Sequence, residues 1–401
     1  MSDPIPFERK RIESRARDVL LRRLIDYVAM PASQAAPQDR SMAGDILLDM
    51  LFHATDEERQ LCAHRLAAMR EAPRRVLRYL AQCSIEIAGP VLEKNEAFDA
   101  SDLLQIVDHV TPDHRLVIAG RKKVPPVITD RLAAVGEPTT VKVMLENKGA
   151  ELSEHAIDVL VARSRKDEAF TLYLIKRLEL RPAQAMAMFW WSDGPTRRVI
   201  LQRHAADRLE MIEMCSDVFA MAAEEGWKDP VSRKTLQLIE RRQRNRAAID
   251  KSPYDSLEHA ISVAAATGMG PEIAQEIGYL AGVKPVTIAK LLSDRGGEGL
   301  AVLCKATGLK RPSLRELWLS LKRPIDMEDG SVHPQFSYVM ETYDLLSVAK
   351  AQTTLRYWNW SLSSTFSPTR LRQSGLDEDE ANDEAAFSTA RRTASLVFGK
   401  S

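Results

Sequence analysis

The stretch TPDHRLVIAGRKKVPPVITDRLAAVGEP, residues 111–138, carries a proline every thirteen residues, at Pro112, Pro125 and Pro138. Proline fits the first turn of an α-helix, where its missing N–H costs no hydrogen bond, but it disrupts a helix interior. Each of these prolines therefore predicts the start of a short helix. The spacing recurs in two further pairs, Pro182 with Pro195 and, nearly, Pro271 with Pro285. Short helices at a fixed period predict an all-α fold, an α-solenoid of helical hairpins.

The composition is that of a folded chain, with 45% apolar and 28% charged residues, close to the averages of globular proteins. The 56 basic residues balance the 56 acidic ones, so no net field draws the chain to nucleic acid or to an anionic membrane. No apolar run is long enough to cross a bilayer, and the first residues lack the apolar core of a secretory signal. We therefore expect a cytoplasmic protein whose cysteines stay reduced.

A longer recurrence groups the helices into pairs. PVLEKNEAFDASDLLQIV (residues 90–107) and VMLENKGAELSEHAIDVL (residues 143–160) share leucine-type positions and turn residues about 53 residues apart. That interval equals two hairpins and predicts a solenoid of short HEAT-like repeats. The expected regions are an N-terminal amphipathic helix with its linker (1–40), a helical repeat domain (41–250), a second array of short helices (251–330), a long aromatic C-terminal helix (331–366) and a disordered acidic tail (367–401).

Four segments carry a resemblance to a known family. They are IAGPVLEKNEAFDASDLLQIV (87–107), RLVIAGRKKVPPVITDRLAAVGEP (115–138), VMLENKGAELSEHAIDVL (143–160) and TIAKLLSDRGGEGLAVLCKATGL (287–309). Together they resemble an alphaproteobacterial family known as a domain of unknown function, whose members share a HEAT-like helical repeat core. The resemblance covers roughly residues 50–325. It implies the fold, and it carries over no catalytic residue because the family has no established activity.

Residues 276–294, EIGYLAGVKPVTIAKLLSD, fit two interpretations. A helix-turn-helix would place Lys284, Thr287 and Lys290 near the DNA major groove. A repeat hairpin has the same spacing, because both motifs join two short helices through a glycine turn. The frame recurs 26 residues later in CKATGLKRPSLRELWLS, residues 304–320. Recognition helices are not normally arrayed in series, so this recurrence favours the hairpin.

A basic run adds to the DNA-binding alternative. Arg241, Arg242 and Arg246 are its candidate phosphate contacts, since each neutralised phosphate strengthens binding at low salt. A solvated helix face explains the run equally well, and the balanced net charge favours that interpretation. We therefore do not expect nucleic acid to be the partner.

Residues suited to catalysis are scattered. His109 and His114 lie across a predicted helix break without a third metal ligand, and His204 with Asp207 forms only a lone pair. The glycine-rich segment 295–299 follows no predicted strand, which a dinucleotide site requires. The sequence thus predicts a protein that is not an enzyme and that binds no cofactor or metal.

Aromatic residues are the candidates for partner binding. Trp190 and Trp191 end a predicted repeat helix, and Tyr357, Trp358 and Trp360 lie in the predicted C-terminal helix. One face of a helix cannot bury all three, so we expect aromatic surface to remain for a protein partner or for a second copy of the chain.

These observations predict a non-enzymatic scaffold or adaptor with a regulatory role, which presents a helical-repeat surface to a protein partner. The alternative is a DNA-associated regulator that uses residues 276–294 and the basic helix 233–251. A third hypothesis is a sensor with a small-molecule pocket between the solenoid and residues 256–323.

Overall fold

A computed structural model describes residues 15–31, 33–240, 243–363 and Val397. Within these ranges the chain forms 23 α-helices and one 3-10 helix, and it forms no strand. The all-α prediction is thus confirmed, and helices that are close in sequence pack together as in a solenoid. The chain divides into two compact units, of which the first ends at Arg163 and the second begins at Ser164. This division lies inside the predicted 41–250 domain.

The first unit contains ten short helices, the last of which ends at the boundary. They are α1 (Arg15–Val28), α2 (Pro37–Leu51), α3 (Asp56–Leu66), α4 (Arg74–Leu80), α5 (Ile85–Lys94), α6 (Ala100–His109), α7 (Pro112–Ala119), α8 (Pro126–Val135), α9 (Pro138–Glu146) and α10 (Glu154–Ser164). The predicted starts are confirmed at Pro112 and Pro138, which open α7 and α9, while Pro125 immediately precedes α8.

Alternate helices of the first unit stack in two layers. Helices α3, α5, α7 and α9 follow one another in one layer, while α2 packs on α4 and α6 on α8 in the other. Each helix buries one apolar stripe; in α6 the stripe is Leu103, Ile106 and Val107, which lie three or four residues apart and share a face. The core of this unit is therefore repeated from one helix pair to the next.

Two asparagines hold corresponding helix ends in this unit. The amide of Asn95, at the end of α5, donates to the carbonyls of Leu66 (2.7 Å) and Met69 (3.0 Å) at the end of α3. Asn147, at the end of α9, donates in the same way to two carbonyls at the end of α7 (2.8 and 2.7 Å). The last carbonyls of a helix have no partner within the helix, so each asparagine joins two helices of one layer. The recurrence of two hairpins seen in the sequence therefore has a structural counterpart.

Arginines provide the same kind of link. Arg121 follows α7 and donates to the carbonyls of Leu92 and Asn95 (2.7 Å for the latter) at the end of α5. Arg163, in α10, donates to two carbonyls at the end of α8 (2.6 and 2.7 Å). Burial lowers the pKa of Arg121, while the positive charge suits the negative end of a helix dipole. Helix ends throughout the first unit are thus closed by side chains from the next helix of the layer.

The second unit contains thirteen described α-helices and a 3-10 helix at Arg246–Lys251. The α-helices are α11 (Ala169–Leu174), α12 (Pro182–Met188), α13 (Gly194–His204), α14 (Arg208–Met214), α15 (Ser216–Glu224), α16 (Pro230–Glu240), α17 (Leu257–Thr267), α18 (Pro271–Ala281), α19 (Pro285–Ser293), α20 (Glu298–Thr307), α21 (Arg311–Ser320), α22 (Pro334–Leu345) and α23 (Val348–Ser363).

Helix α20 is the centre of the second unit. Every residue of it except Lys305 is buried, and α19, α21, α22 and α23 all pack on it. A helix that is apolar around its whole circumference can only lie in a core. Burial also raises the pKa of Cys304 well above that of a free thiol, so this cysteine stays protonated. This unit is organised around one element rather than by repetition.

A buried ion cluster closes one end of α20. Arg197, in α13, donates to Asp294 and Glu298, both at 2.7 Å, and all three side chains are at least 95% buried. Burial alone would lower the pKa of Arg197, but the two carboxylates together raise it. The loop between α19 and α20 passes so close that a Cβ on Gly296 would lie 2.1 Å from the guanidinium. Gly296 is therefore explained by packing against Arg197, while Gly297 lies against Trp318 and Gly299 against Leu291.

The predicted long C-terminal helix is two helices. The chain leaves the helical path at Leu346, where the backbone is extended, and α23 begins at Val348. The predicted basic helix 233–251 is likewise divided between α16, which ends at Glu240, and the 3-10 helix at Arg246–Lys251. The expectation of a disordered tail at 367–401 concerns residues that, except for Val397, lie outside the described ranges.

Candidate functional site

Two of the predicted partner-binding tryptophans lie in the core of the second unit. Trp190 is 8% exposed and Trp358 only 1% exposed. Their ring centroids are 4.9 Å apart, and both rings contact Phe189. These two side chains fill space between α12 and α23 and present no surface to another molecule, which corrects the expectation for both. Trp191 is half-buried, and its Nε1 donates to Ser164 Oγ at 3.0 Å.

Tyr357 and Trp360 are the aromatic residues of α23 that remain accessible. Both are half-buried, and their ring centroids lie 5.8 Å apart. They lie one helical turn apart, so they share a face, whereas Trp358 points to the core. Helix α23 therefore buries Trp358 but leaves Tyr357 and Trp360 partly exposed. Both line a groove of the second unit.

The groove has a volume of about 330 Å³ and is built by α12, α13, α14, α16 and α23. This volume is at the lower end of the range of about 300–1,000 Å³ found for small-molecule sites. Most of the lining is apolar. The apolar and aromatic side chains include Pro182, Met186, Met211, Ile239, Tyr357 and Trp360.

A few polar groups line the same groove. They include His204, Arg208, Thr354 and Arg356. Arg208 Nε donates to the carbonyl of Ile239 at 2.8 Å, which ties α14 to α16. Among the described residues, the groove wall contains two arginines and no acidic residue. The described residues of the wall therefore combine positive charge with a mostly apolar surface.

Two uncharged groove-lining residues, His204 and Thr354, each have one buried polar atom without a hydrogen-bond partner among the described residues. These atoms are His204 Nε2 and Thr354 Oγ1. Thr354 is 1% exposed, and a buried hydroxyl that makes no hydrogen bond is unfavourable in free energy. Burial, together with the charge of Arg203, lowers the pKa of His204. The imidazole is accordingly neutral at pH 7, when one ring nitrogen donates and the other accepts a hydrogen bond.

The sequence showed His204 only as one half of a pair with Asp207. In the structure the two side chains have different roles. Asp207 is the N-cap of α14, and its carboxylate accepts from the N–H of Leu209 at 2.9 Å. His204 ends α13 and turns to the groove. No spacing rule connects it with Thr354 or Met186, because these residues come from helices far apart in the chain.

The candidate DNA contacts are placed differently from a recognition helix. Thr287 is fully buried and Lys284 is 9% exposed, and α19 packs between α18, α20 and α23. The ammonium group of Lys290 lies 5.4 Å from the ring of Trp190. Arg246 opens the 3-10 helix, while Arg241 and Arg242 lie outside the described residues. In the part of the chain that the structure describes, α18 and α19 form a packed hairpin, as the internal recurrence indicated.

A second surface stands out on α14, α15 and α16, which contact one another. Five large apolar side chains are exposed there: Leu209, Met214, Val218, Met221 and Val231. Helix α14 has no buried residue, and Ala222 is the only buried residue of α15. These helices therefore keep much of their apolar surface in contact with solvent. We call these five side chains the apolar surface of α14–α16.

Metal binding and membrane insertion receive no support from the described ranges. They contain no group of three or more His, Cys, Asp or Glu side chains that is placed to hold a metal ion. None of the helices in these ranges has the length and apolar character needed to cross a membrane.

The described residues form an all-helical protein with a solenoid-like arrangement of short helices. The chain belongs to the family described as an uncharacterised protein conserved in bacteria (DUF2336), which residues 87–356 match. The resemblance inferred from the sequence is thus confirmed, and the match extends further toward the C-terminus than the expected range of 50–325. It includes most groove residues and ends just before Tyr357 and Trp360. No curated protein and no solved structure matches the chain.

Proposed function

We propose that the protein is a non-enzymatic interaction scaffold or adaptor with a regulatory role in the cytoplasm, built on HEAT-like repeats. One observation carries the proposal: the apolar surface of α14–α16. Met214 is 81% exposed, Val231 70% and Leu209 64%. Exposed apolar side chains grouped on neighbouring helices are typical of protein interaction sites.

The helices that carry this surface pack weakly on the rest of the chain. Val218 and Met221 lie one turn apart on α15 and share a face. The burial that normally stabilises a helix in a protein comes from its apolar face, and here most of that face is exposed. A partner that covers it would supply the missing burial and stabilise all three helices.

Charge around the apolar surface indicates the chemistry of the partner. Along α14 and α15, between residues 209 and 227, the chain has no lysine, arginine or histidine, but it has five exposed acidic residues, Glu210, Glu213, Asp217, Glu224 and Glu225, whereas α16 carries the exposed Arg233. An apolar surface beside acidic residues fits an amphipathic helix whose polar face is basic, because opposite charges steer and orient association. We therefore propose a basic amphipathic helix of another protein as the occupant.

Site-specific photo-crosslinking tests this proposal. A photoreactive residue replaces Met214 in the full-length chain, and the same residue replaces Leu178, which is 90% exposed outside the surface, as a matched control. We expect one discrete protein adduct in the native bacterium from position 214 and none from position 178. The adduct should map to a basic amphipathic segment of the partner.

Charge reversal is the second arm. The double variant Glu213→Lys with Asp217→Lys should lower the adduct yield from position 214 at least severalfold, because both residues become repulsive to a basic partner. Equal adducts from positions 214 and 178, or a yield that ignores the charge reversal, would contradict the proposal.

A further inference from the structure

We infer that the groove lined by Tyr357 and Trp360 is a binding site for a small amphipathic carboxylate, a molecule with an aromatic or aliphatic body and one carboxylate end. The groove lies within the second unit and has a volume of about 330 Å³. This site is separate from the apolar surface of α14–α16, since neither Met214 nor Met221 lines it.

The apolar wall selects the body of the ligand. Tyr357 and Trp360 offer two ring faces from one side of α23, and Met186 and Met211 contribute flexible thioether side chains from α12 and α14. Aromatic pairs and sulfur–aromatic contacts both favour a planar or flexible apolar group in such a space. A fully polar ligand such as a sugar would leave most of its hydroxyl groups without hydrogen bonds there.

The polar groups select the head of the ligand. Arg208 brings positive charge to a wall whose described residues include no acidic one. A guanidinium binds a carboxylate well in a partly desolvated site, because charge-assisted hydrogen bonds reinforce the ion pair. A cationic head group would be repelled by the same positive charge.

The two buried polar atoms indicate that the site is built for a ligand. Thr354 and His204 line the groove, and their buried atoms Oγ1 and Nε2 have no hydrogen-bond partner among the described residues. A ligand oxygen in the groove would accept from the hydroxyl or from the imidazole. Binding would then remove a free-energy cost that the protein bears without the ligand.

The test compares two probes of equal shape, 1-naphthylacetate and 1-naphthylacetamide, by calorimetric titration of the full-length protein. The carboxylate carries a charge that the amide lacks, so we expect it to bind about tenfold more tightly, which corresponds to roughly one charge-assisted hydrogen bond. Equal affinity of the two probes would overturn the assignment of an anionic head group. Absence of binding of both at millimolar concentration would overturn the site itself.

Two variants locate the binding. Ala206 is exposed and lines the groove, so Ala206→Phe fills the groove without disturbing the core and should abolish binding of both probes. Thr354→Val removes the hydroxyl at nearly constant shape and should weaken the carboxylate severalfold. If both variants bind the carboxylate as the wild type does, the site lies elsewhere and the inference fails.

Thr287→Val is the matched control for Thr354→Val. Thr287 Oγ1 is also buried without a hydrogen-bond partner among the described residues, but Thr287 does not line the groove. The control should keep wild-type affinity, while melting temperatures confirm that both variants fold. A loss of affinity in the control equal to that of Thr354→Val would assign the effect to stability and overturn the role of Thr354. Neither result depends on the photo-crosslinking of Met214.

Discussion

The helices of the two units are held together in different ways. In the first unit, Asn95 and Asn147 make the same hydrogen bonds 52 residues apart, and Arg121 and Arg163 close further helix ends. In the second unit one buried helix, α20, is enclosed by four others, and one arginine, Arg197, joins distant segments. Repetition distributes stability over many equivalent contacts, whereas a single centre concentrates it in a few residues.

Because the stability of the second unit is concentrated in a few residues, the largest effect is expected at Arg197. The variant Arg197→Met leaves the carboxylates of Asp294 and Glu298 buried without their counter-charge, which should cost about 3–5 kcal/mol of unfolding free energy. All six tryptophans lie in the second unit, so urea unfolding followed by tryptophan fluorescence reports on this unit alone.

An exposed ion pair of the same unit is the control for this variant. Arg311 and Asp344 form a salt bridge at 2.6 Å, with side chains 58% and 46% exposed. The variant Arg311→Met should therefore cost less than about 1 kcal/mol. Equal effects of the two variants would show that burial does not distinguish Arg197, and the contrast between the units would be wrong.

Because the contacts of the first unit are repeated, removing one of them should lower the unfolding free energy by less, and equivalent positions should both show this loss. Each of the variants Asn95→Ala and Asn147→Ala leaves two carbonyls at a helix end without their donor, which should cost about 2 kcal/mol. Because the two sites make the same hydrogen bonds, both variants should be destabilising, and the fully buried Asn95 should cost at least as much as the half-buried Asn147. Far-UV circular dichroism during urea unfolding measures both, and tryptophan fluorescence should change less. A large cost at one asparagine and none at the other would contradict the structural equivalence.

The difference between the units also explains what could be predicted from sequence. Helix starts at Pro112 and Pro138 depend on local chemistry, and the recurrence of two hairpins depends on spacing along the chain, so both were accessible. The partners of Arg197 lie 97 and 101 residues away in sequence, and no pattern along the chain connects them. The glycines of segment 295–299 were therefore visible as a motif, but the close packing of Gly296 against Arg197 was not.

The candidate groove could likewise be predicted only in part from the sequence. The aromatic density of α23 indicated that some rings would stay accessible, and Tyr357 and Trp360 do. The sequence did not reveal which rings those would be, because the burial of Trp358 depends on Phe189 and Trp190 from another helix. Five helices contribute to the groove, and such a convergence follows from tertiary packing, which a single sequence does not encode in any local period.

The smallest expected effect concerns pH and belongs to the second unit alone. Burial and the charge of Arg203 lower the pKa of His204, so the unfolded chain takes up a proton at a higher pH than the folded chain does. The unfolding free energy from this group is therefore fully present above the ordinary histidine pKa of about 6.5 and decreases as the pH falls below it. Tryptophan-detected unfolding between pH 7.5 and 5 should show less loss of stability for His204→Gln than for the wild type. An acid response of His204→Gln identical to that of the wild type would refute a buried, neutral His204.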